Sequence, residues 1–135
     1  MTDNERNLRQ SYSAYNQGLA SAVDLFDARI EWETPSMPPN LAGGKLRGRE
    51  AVATFFDELR ERLSGHRMEI EEVDEAGGDR VIIYGRHHIR TLDTDRTLSM
   101  PFVHRWTMRD GHAVAMREYL DPSEYLAAAT AAAAR

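Results

Sequence analysis

The sequence contains no cysteine. That absence removes disulfides, thiolate nucleophiles, zinc ribbons and iron–sulfur clusters together. No apolar run approaches the roughly 18 residues that a membrane-spanning helix needs. The start, Met-Thr-Asp-Asn-Glu-Arg, has no apolar stretch behind a basic segment, so no secretory signal is expected. His-Glu-x-x-His and Gly-x-Ser-x-Gly are both missing. Gly43-Gly44-Lys45 lacks the following Ser or Thr and the preceding strong strand of a phosphate-binding loop. What is present is a mixture of charges, 17 Lys and Arg against 22 Asp and Glu, for a net charge of −5. Such a surface suits solubility and speaks against nucleic acid or a membrane as the main partner. The hydrophobic share, 41% of 135 residues, is enough for one core and a small cavity. The expectation is one cytoplasmic domain over residues 1–135, working with His, Asp, Glu, Tyr and Arg and without metal or cofactor.

The spacing of apolar residues orders the elements. Thr2 and Glu5 fit a capping box, and Leu8, Tyr12, Tyr15 and Leu19 follow at helical spacing. Ser21 and Asp24 suggest a second, short helix that buries Val23 and Phe26. Residues 28–33 read as a strand with Ile30 and Trp32 on one face. Over 34–48, three prolines and three glycines exclude any regular element and leave a long loop. Residues 49–63 return to helical spacing through Val52, Phe55, Phe56, Leu59 and Leu63, ended by Ser64-Gly65, with arginines and glutamates alternating on the solvated face. Four extended segments follow, 66–73, 80–92, 97–109 and 112–120, separated by turns at 74–79, Asp93-Thr94-Asp95 and Asp110-Gly111. Connectors this short make neighbouring strands antiparallel. Asp121-Pro122-Ser123-Glu124 caps a terminal helix through Tyr125, Leu126 and the alanine-rich tail. Helices against one face of a curved antiparallel sheet define an α+β fold with a pocket between the layers.

The last third carries the most specific motif: Phe102-Val103-His104-Arg105-Trp106-Thr107-Met108-Arg109-Asp110-Gly111, then Glu118-Tyr119-Leu120-Asp121. It resembles the closing hairpin of the SnoaL-like polyketide cyclases, within the nuclear transport factor 2-like superfamily. Trp32, the proline-rich loop, and Leu46-Arg47-Gly48-Arg49-Glu50 leading into Phe55-Phe56 agree with that resemblance. It implies a cone-shaped barrel: a curved antiparallel sheet with helices on its concave face, a small organic molecule inside, often in a homodimer. In those cyclases a histidine and an acid on the last two long strands handle proton transfer in an aldol closure. The resemblance gives these roles to His104 and Glu118, with glutamate where the cyclases have aspartate. The two residues lie symmetrically about Gly111. A bulge at Gly111 pairs them directly, about 5 Å apart at Cβ. A bare two-residue turn sets Arg117 opposite His104 instead, and the sequence leaves both registers open.

Should Glu118 enter an apolar cavity beside Phe102, Trp106, Val114 and Met116, desolvation raises its pKa while His104 pulls it down. Such a carboxylate can take a proton from a carbon α to a carbonyl, and the histidine can donate to the developing oxyanion. The competing placement puts Glu118 on the convex face with Arg105 or Arg117. The expected substrate contacts are Trp32, Tyr12, Tyr15, Phe55, Phe102, Trp106 and Met116, with the mouth near 34–48. Each of these also reads as plain core, although in ketosteroid isomerases on this fold a first-helix tyrosine helps bind the oxyanion. Asp121 reads as a helix cap, and Tyr119 points away from the pocket by strand parity. His87 and His88 are adjacent in a strand, so they face opposite ways and cannot share one metal; which faces inward stays open. His66 and His112, at strand starts, read as exposed.

Three functions compete. The first is a SnoaL-like cyclase or isomerase acting on a small apolar or carbonyl compound. The second is a binding module of the same fold without turnover. The third, an epoxide hydrolase, needs an Asp-Arg-Asp set for which the chain offers no clear match. Apolar residues on both faces of 81–89 point to a homodimer through the convex face, because a strand apolar on both sides needs a cover.

Overall fold

Thr2 caps the first helix. Its hydroxyl accepts from the Glu5 N–H at 3.2 Å, and α1 (Asp3–Asn16) buries Leu8, Tyr12 and Tyr15 on one face. Leu19, expected to extend that face, lies past the helix end and is 46% exposed. Gly18, at φ 73°, closes α1: its N–H reaches the Tyr15 carbonyl and the Leu19 N–H reaches Ala14. The computed structural model describes residues 1–35, 44–91, 97–124 and 126–127. The turn at Asp93-Thr94-Asp95, the middle of the long loop, and the tail with Tyr125 lie outside the described residues.

The second helix is only a 3-10 turn, Ala20–Val23, and it buries Ala22. Phe26 opens β1 (Phe26–Thr34) instead of ending a helix. A strand forms where none was expected: β2 (Gly44–Arg47) pairs antiparallel with β1. The breakers stand before it and at Gly48, so Lys45-Leu46-Arg47 remain free to extend. Gly48, at φ 98°, then turns the chain into α2 (Arg49–Arg62), which buries Val52 and Phe56. Ser64-Gly65 does not separate helix from strand. β3 (Leu63–Glu75) begins directly after α2, and Gly65 sits where its register with β4 (Arg80–Thr91) shifts. β5 (Thr97–Arg109) and β6 (His112–Leu120) complete the meander.

The six strands form one curved sheet in the order β2-β1-β6-β5-β4-β3. All pairs in the meander are antiparallel, as read from the short connectors. The sheet as a whole is mixed, because β1 runs parallel to β6. The chain between those two strands is long enough for such a return. β2 and β3 stand as open edges, so the cone does not close into a barrel. Both helices lie over the sheet, α1 against β3 and α2 against β1 and β3. Strand parity settles what faces them: Leu98, Met100, Phe102, His104, Trp106 and Met108 of β5 are all buried.

The β5–β6 hairpin resolves the open register. Asp110 and Gly111 both have positive φ, 51° and 78°, which is a two-residue turn whose twist suits a hairpin. Arg109 pairs with His112 and Met108 with Ala113, the register of a bare turn. One residue later the ladder shifts, and Thr107 pairs with Ala115. Val114 is the extra residue, so the bulge lies three residues beyond Gly111. Its effect is the expected pairing of His104 with Glu118 and of Arg105 with Arg117.

Candidate active site

Glu118 turns inward, and its carboxylate meets two imidazoles. Oε2 lies 2.5 Å from His104 Nε2 and 2.7 Å from His87 Nε2. It does not pair with Arg105 or Arg117 on the convex face. His87 is the inward member of the His87-His88 pair, while His88 bonds Glu69 outside at 2.8 Å. The sequence held the signal for this: His87 shares parity with Val81, Ile83 and Ile89, which are all buried. His66 is the larger correction. It lines the cavity, with Nδ1 2.5 Å from the Tyr15 hydroxyl and Nε2 2.8 Å from His87 Nδ1. It shares strand parity with Met68 and Ile70, which pack on the core side, so the alternation after Gly65 carries it inward. His112 is exposed, as read.

The donors assign the protons. Trp106 Nε1 can only donate, and it does so to the Tyr12 hydroxyl at 2.9 Å. Tyr12 is buried, and the remaining neighbour for its own proton is His104 Nδ1 at 2.5 Å. His104 therefore carries its proton on Nε2 and presents it to Glu118. The same direction runs through the second arm, Tyr15 to His66 to His87 to Glu118. Two chains of hydrogen bonds thus converge on one carboxylate oxygen.

Electrostatics follow from burial and from these partners. Burial pushes both phenols up, Tyr12 well above its ordinary value. Burial lowers His104 despite the opposing pull of Glu118, so the ring stays neutral. It drives His66 down to about 3, with His87 adding to the effect. For Glu118, burial acts upward, but the combined pull of His87 and His104 exceeds it and holds the carboxyl well below the usual range. The rise expected from desolvation alone is outweighed, and Glu118 is an anion at neutral pH.

His87 and His104 ring nitrogens and a Glu118 oxygen lie within 4.8 Å of one another, close enough to ligate one cation. Ligation needs bare nitrogens, whereas the Trp106–Tyr12 chain places a proton on His104 Nε2. A metal there would reverse that tautomer and strand the Tyr12 proton.

The cavity above the carboxylate is walled by Tyr12, Tyr15, Trp32, Phe55, Phe56 and Trp106, and His66, His87, His104 and Glu118 also line it. The cavity is small, about 60 Å³. Two expected contacts lie behind the wall. Phe102 stacks beneath His104, with centroids 3.9 Å apart, and Met116 is buried opposite Trp106. Thr34 and Pro35 reach the cavity at the start of the long loop, on the side where the mouth was expected. Tyr119 is 44% exposed on the other face. Asp121 accepts from the Ser123 N–H at 3.1 Å, a cap, while Glu124 bonds the Ser99 N–H instead of completing the box.

Fold and cleft together define a pocketed α+β protein of the nuclear transport factor 2-like kind. The chain belongs to the SnoaL-like domain family, whose pattern matches residues 8–116. A nuclear transport factor 2-like protein of unknown function from Burkholderia pseudomallei superposes with a TM-score of 0.84 at 25% identity, covering 94% of this chain and 97% of that one. TerC, co-crystallised with polyporic acid, gives 0.82 at 26% identity over 93% and 97%. IdmH from Streptomyces antibioticus, described as a candidate polyketide cyclase, gives 0.79 at 17% identity over 92% and 96% and shares the fold. No curated protein matches the sequence significantly.

Proposed function

We propose that this chain is a cytoplasmic SnoaL-like enzyme that moves a proton on a small carbonyl compound, as a cyclase or isomerase. The observation that carries the reading is the 2.5 Å contact between His104 Nε2 and an ionised Glu118 inside an aromatic cleft. Oε2 is held by two imidazole N–H groups, and no described residue donates to Oε1, which leaves that oxygen for a substrate C–H. Glu118 takes the α-proton, and the His104 N–H then turns to the enolate oxygen. Neutral His104 is a donor here, and the Tyr12–Trp106 chain holds it in that tautomer. TerC, co-crystallised with polyporic acid, supports a small organic ligand.

Hydrogen–deuterium exchange at the α-carbon of α-tetralone, followed by proton NMR, tests the reading. Wild type is expected to accelerate exchange, and Glu118→Gln to slow it by roughly 10²–10⁴-fold, the usual worth of a general base. Ketone that binds but exchanges no faster than in buffer overturns the enzyme in favour of the binding module. The lowered pKa of Glu118 is the observation on that second side, since it weakens the carboxylate as a base.

We further propose a homodimer through the convex face. Tyr84, Val103 and Tyr119 are register partners across β4, β5 and β6, and the two tyrosines are 38% and 44% exposed. Light scattering is expected to report twice the chain mass for wild type and a monomer for Tyr84→Asp. A monomeric wild type at micromolar concentration overturns it.

A further inference from the structure

β1 sends Ile30, Trp32 and Thr34 to the same side of the sheet, and all three are buried. Ile30 disappears into the core. Trp32 and Thr34 instead line the cleft, at 7% and 5% exposure. Their polar atoms, Trp32 Nε1 and Thr34 Oγ1, are buried without a hydrogen-bond partner. Buried donors in folded proteins are nearly always satisfied, so two neighbouring orphans in one cavity wall call for an explanation. The contrast with Trp106 sharpens the point. Both indoles line the cleft, yet the Trp106 N–H is committed to Tyr12 and the Trp32 N–H to nothing among the described residues.

We propose that Trp32 Nε1 and Thr34 Oγ1 form a second polar subsite, which binds an oxygen at the far end of the substrate from its reacting carbonyl. The inference rests on the proton-transfer reading for the near end only. An indole N–H donates and never accepts, so the group it meets is an acceptor. A threonine hydroxyl donates or accepts. A phenolic hydroxyl can take the indole N–H or give its own proton to Thr34, and a second carbonyl can accept from either. The ring of Trp106 spans the gap: its centroid lies 5.7 Å from that of Trp32 and 6.5 Å from that of His104. A molecule lying against Trp106 can reach towards both ends. The substrate class is therefore a ketone with a second oxygen at the end opposite its reacting carbonyl, not a plain hydrocarbon ketone.

The probes are α-tetralone and its analogue with a phenolic hydroxyl at the edge away from the carbonyl. Wild type is expected to bind the hydroxylated ketone about tenfold more tightly, the effect of one or two net hydrogen bonds. Thr34→Val keeps the shape of the side chain and Trp32→Phe keeps a ring. Each is expected to erase most of that preference, read as the ratio of the two ketones' affinities within the same variant. Nitrogen–proton NMR gives a second readout that needs no variant to bind. Of the two indole signals, only that of Trp32, identified by its absence in Trp32→Phe, is expected to move more with the hydroxylated ketone. Glu118→Gln is expected to lose α-proton exchange and keep the tenfold preference. Wild type that keeps the preference without exchange sinks the proton-transfer reading and leaves the subsite standing. Equal affinities for the two ketones, a preference that survives in both variants, or no binding of either at millimolar concentration overturns the subsite.

Discussion

Trp106 can only donate, and that one-way bond orders the residues after it. Tyr12 must pass its proton to His104 Nδ1, His104 must present Nε2–H, and Glu118 receives it. Tyr12→Phe cuts the chain in its middle and leaves the Trp106 N–H and His104 Nδ1 both buried and unpartnered. The expected cost is about 1–3 kcal/mol of stability, the usual penalty for stranded buried groups. Nitrogen NMR of the imidazoles is expected to show His104 protonated at Nε2 in wild type and divided between tautomers in the variant. A wild-type His104 protonated at Nδ1 sinks the assignment and reopens the metal alternative. At this scale the sequence was partly legible. His104 and Glu118 could be found because they are symmetric about a strong turn motif, and because β5 alternates cleanly. His66 was missed because it stands at a strand start beside Gly65, although it shares parity with Met68 and Ile70, which carry the signal for an inward direction. Thr34 was hidden because a threonine at the edge of a proline-rich loop looks like any other.

Two local irregularities set the geometry of the site. The bulge at Val114 lets Ala113 and Met116 both face inward, an odd spacing that a regular strand forbids, and it carries Glu118 into register with His104. The sequence showed that a bulge was needed to pair these residues but not where it would fall, since the cost of bulging at Gly111 or at Val114 is decided by the partner strand. Gly85 is the second irregularity. A Cβ there would fall 2.1 Å from the Glu69 carbonyl oxygen and 2.6 Å from Phe102 Cζ. The glycine lets the Phe102 ring lie flat across β4, and that ring supports His104 from beneath. Gly85→Ala is expected to cost about 3 kcal/mol, the upper part of the range for overpacking, because one obstacle is backbone and cannot rotate away. It is also expected to slow α-proton exchange by displacing Phe102 and with it His104. Urea unfolding and the exchange assay measure the two effects, and a variant as stable as wild type counts against the role given to Gly85. Other elements were legible in proportion to their length. α1, α2 and the four-strand meander follow from periodicity, whereas β2 is four residues long and exists only because β1 offers it an edge.

Among the described residues, three imidazoles, one carboxylate and two phenols gather around a single cleft, and this concentration shapes how stability responds to pH. His66 is faced by Tyr15 from α1, Arg60 from α2, His87 from β4, His104 from β5 and Glu118 from β6. Its pKa falls from the ordinary 6.5 to about 3 on folding, and that of His104 moves the same way. Between those limits the unfolded chain binds more protons than the folded one, so stability rises with pH there. The contribution is complete above pH 6.5 and is lost as the pH falls towards 3. Glu118 has the same sign at lower pH: its folded pKa lies below the ordinary 4.5, so its contribution disappears as acid protonates it. The phenols act at the opposite end. Tyr12 and Tyr15 are raised above 10.0 on folding, so their contribution is full below pH 10 and is lost as the pH rises further. The expected profile is a plateau from about pH 6.5 to 10, falling on both sides. Each titrating group on the acid side contributes up to roughly 1.4 kcal/mol per pH unit. Urea midpoints measured from pH 4 to 11 trace the curve. His66→Asn removes one of the acid-side groups and is expected to flatten that limb by about one proton, while leaving the alkaline limb in place. A profile that peaks near pH 5, or an acid limb unchanged in His66→Asn, contradicts the buried neutral histidine on which the second arm depends.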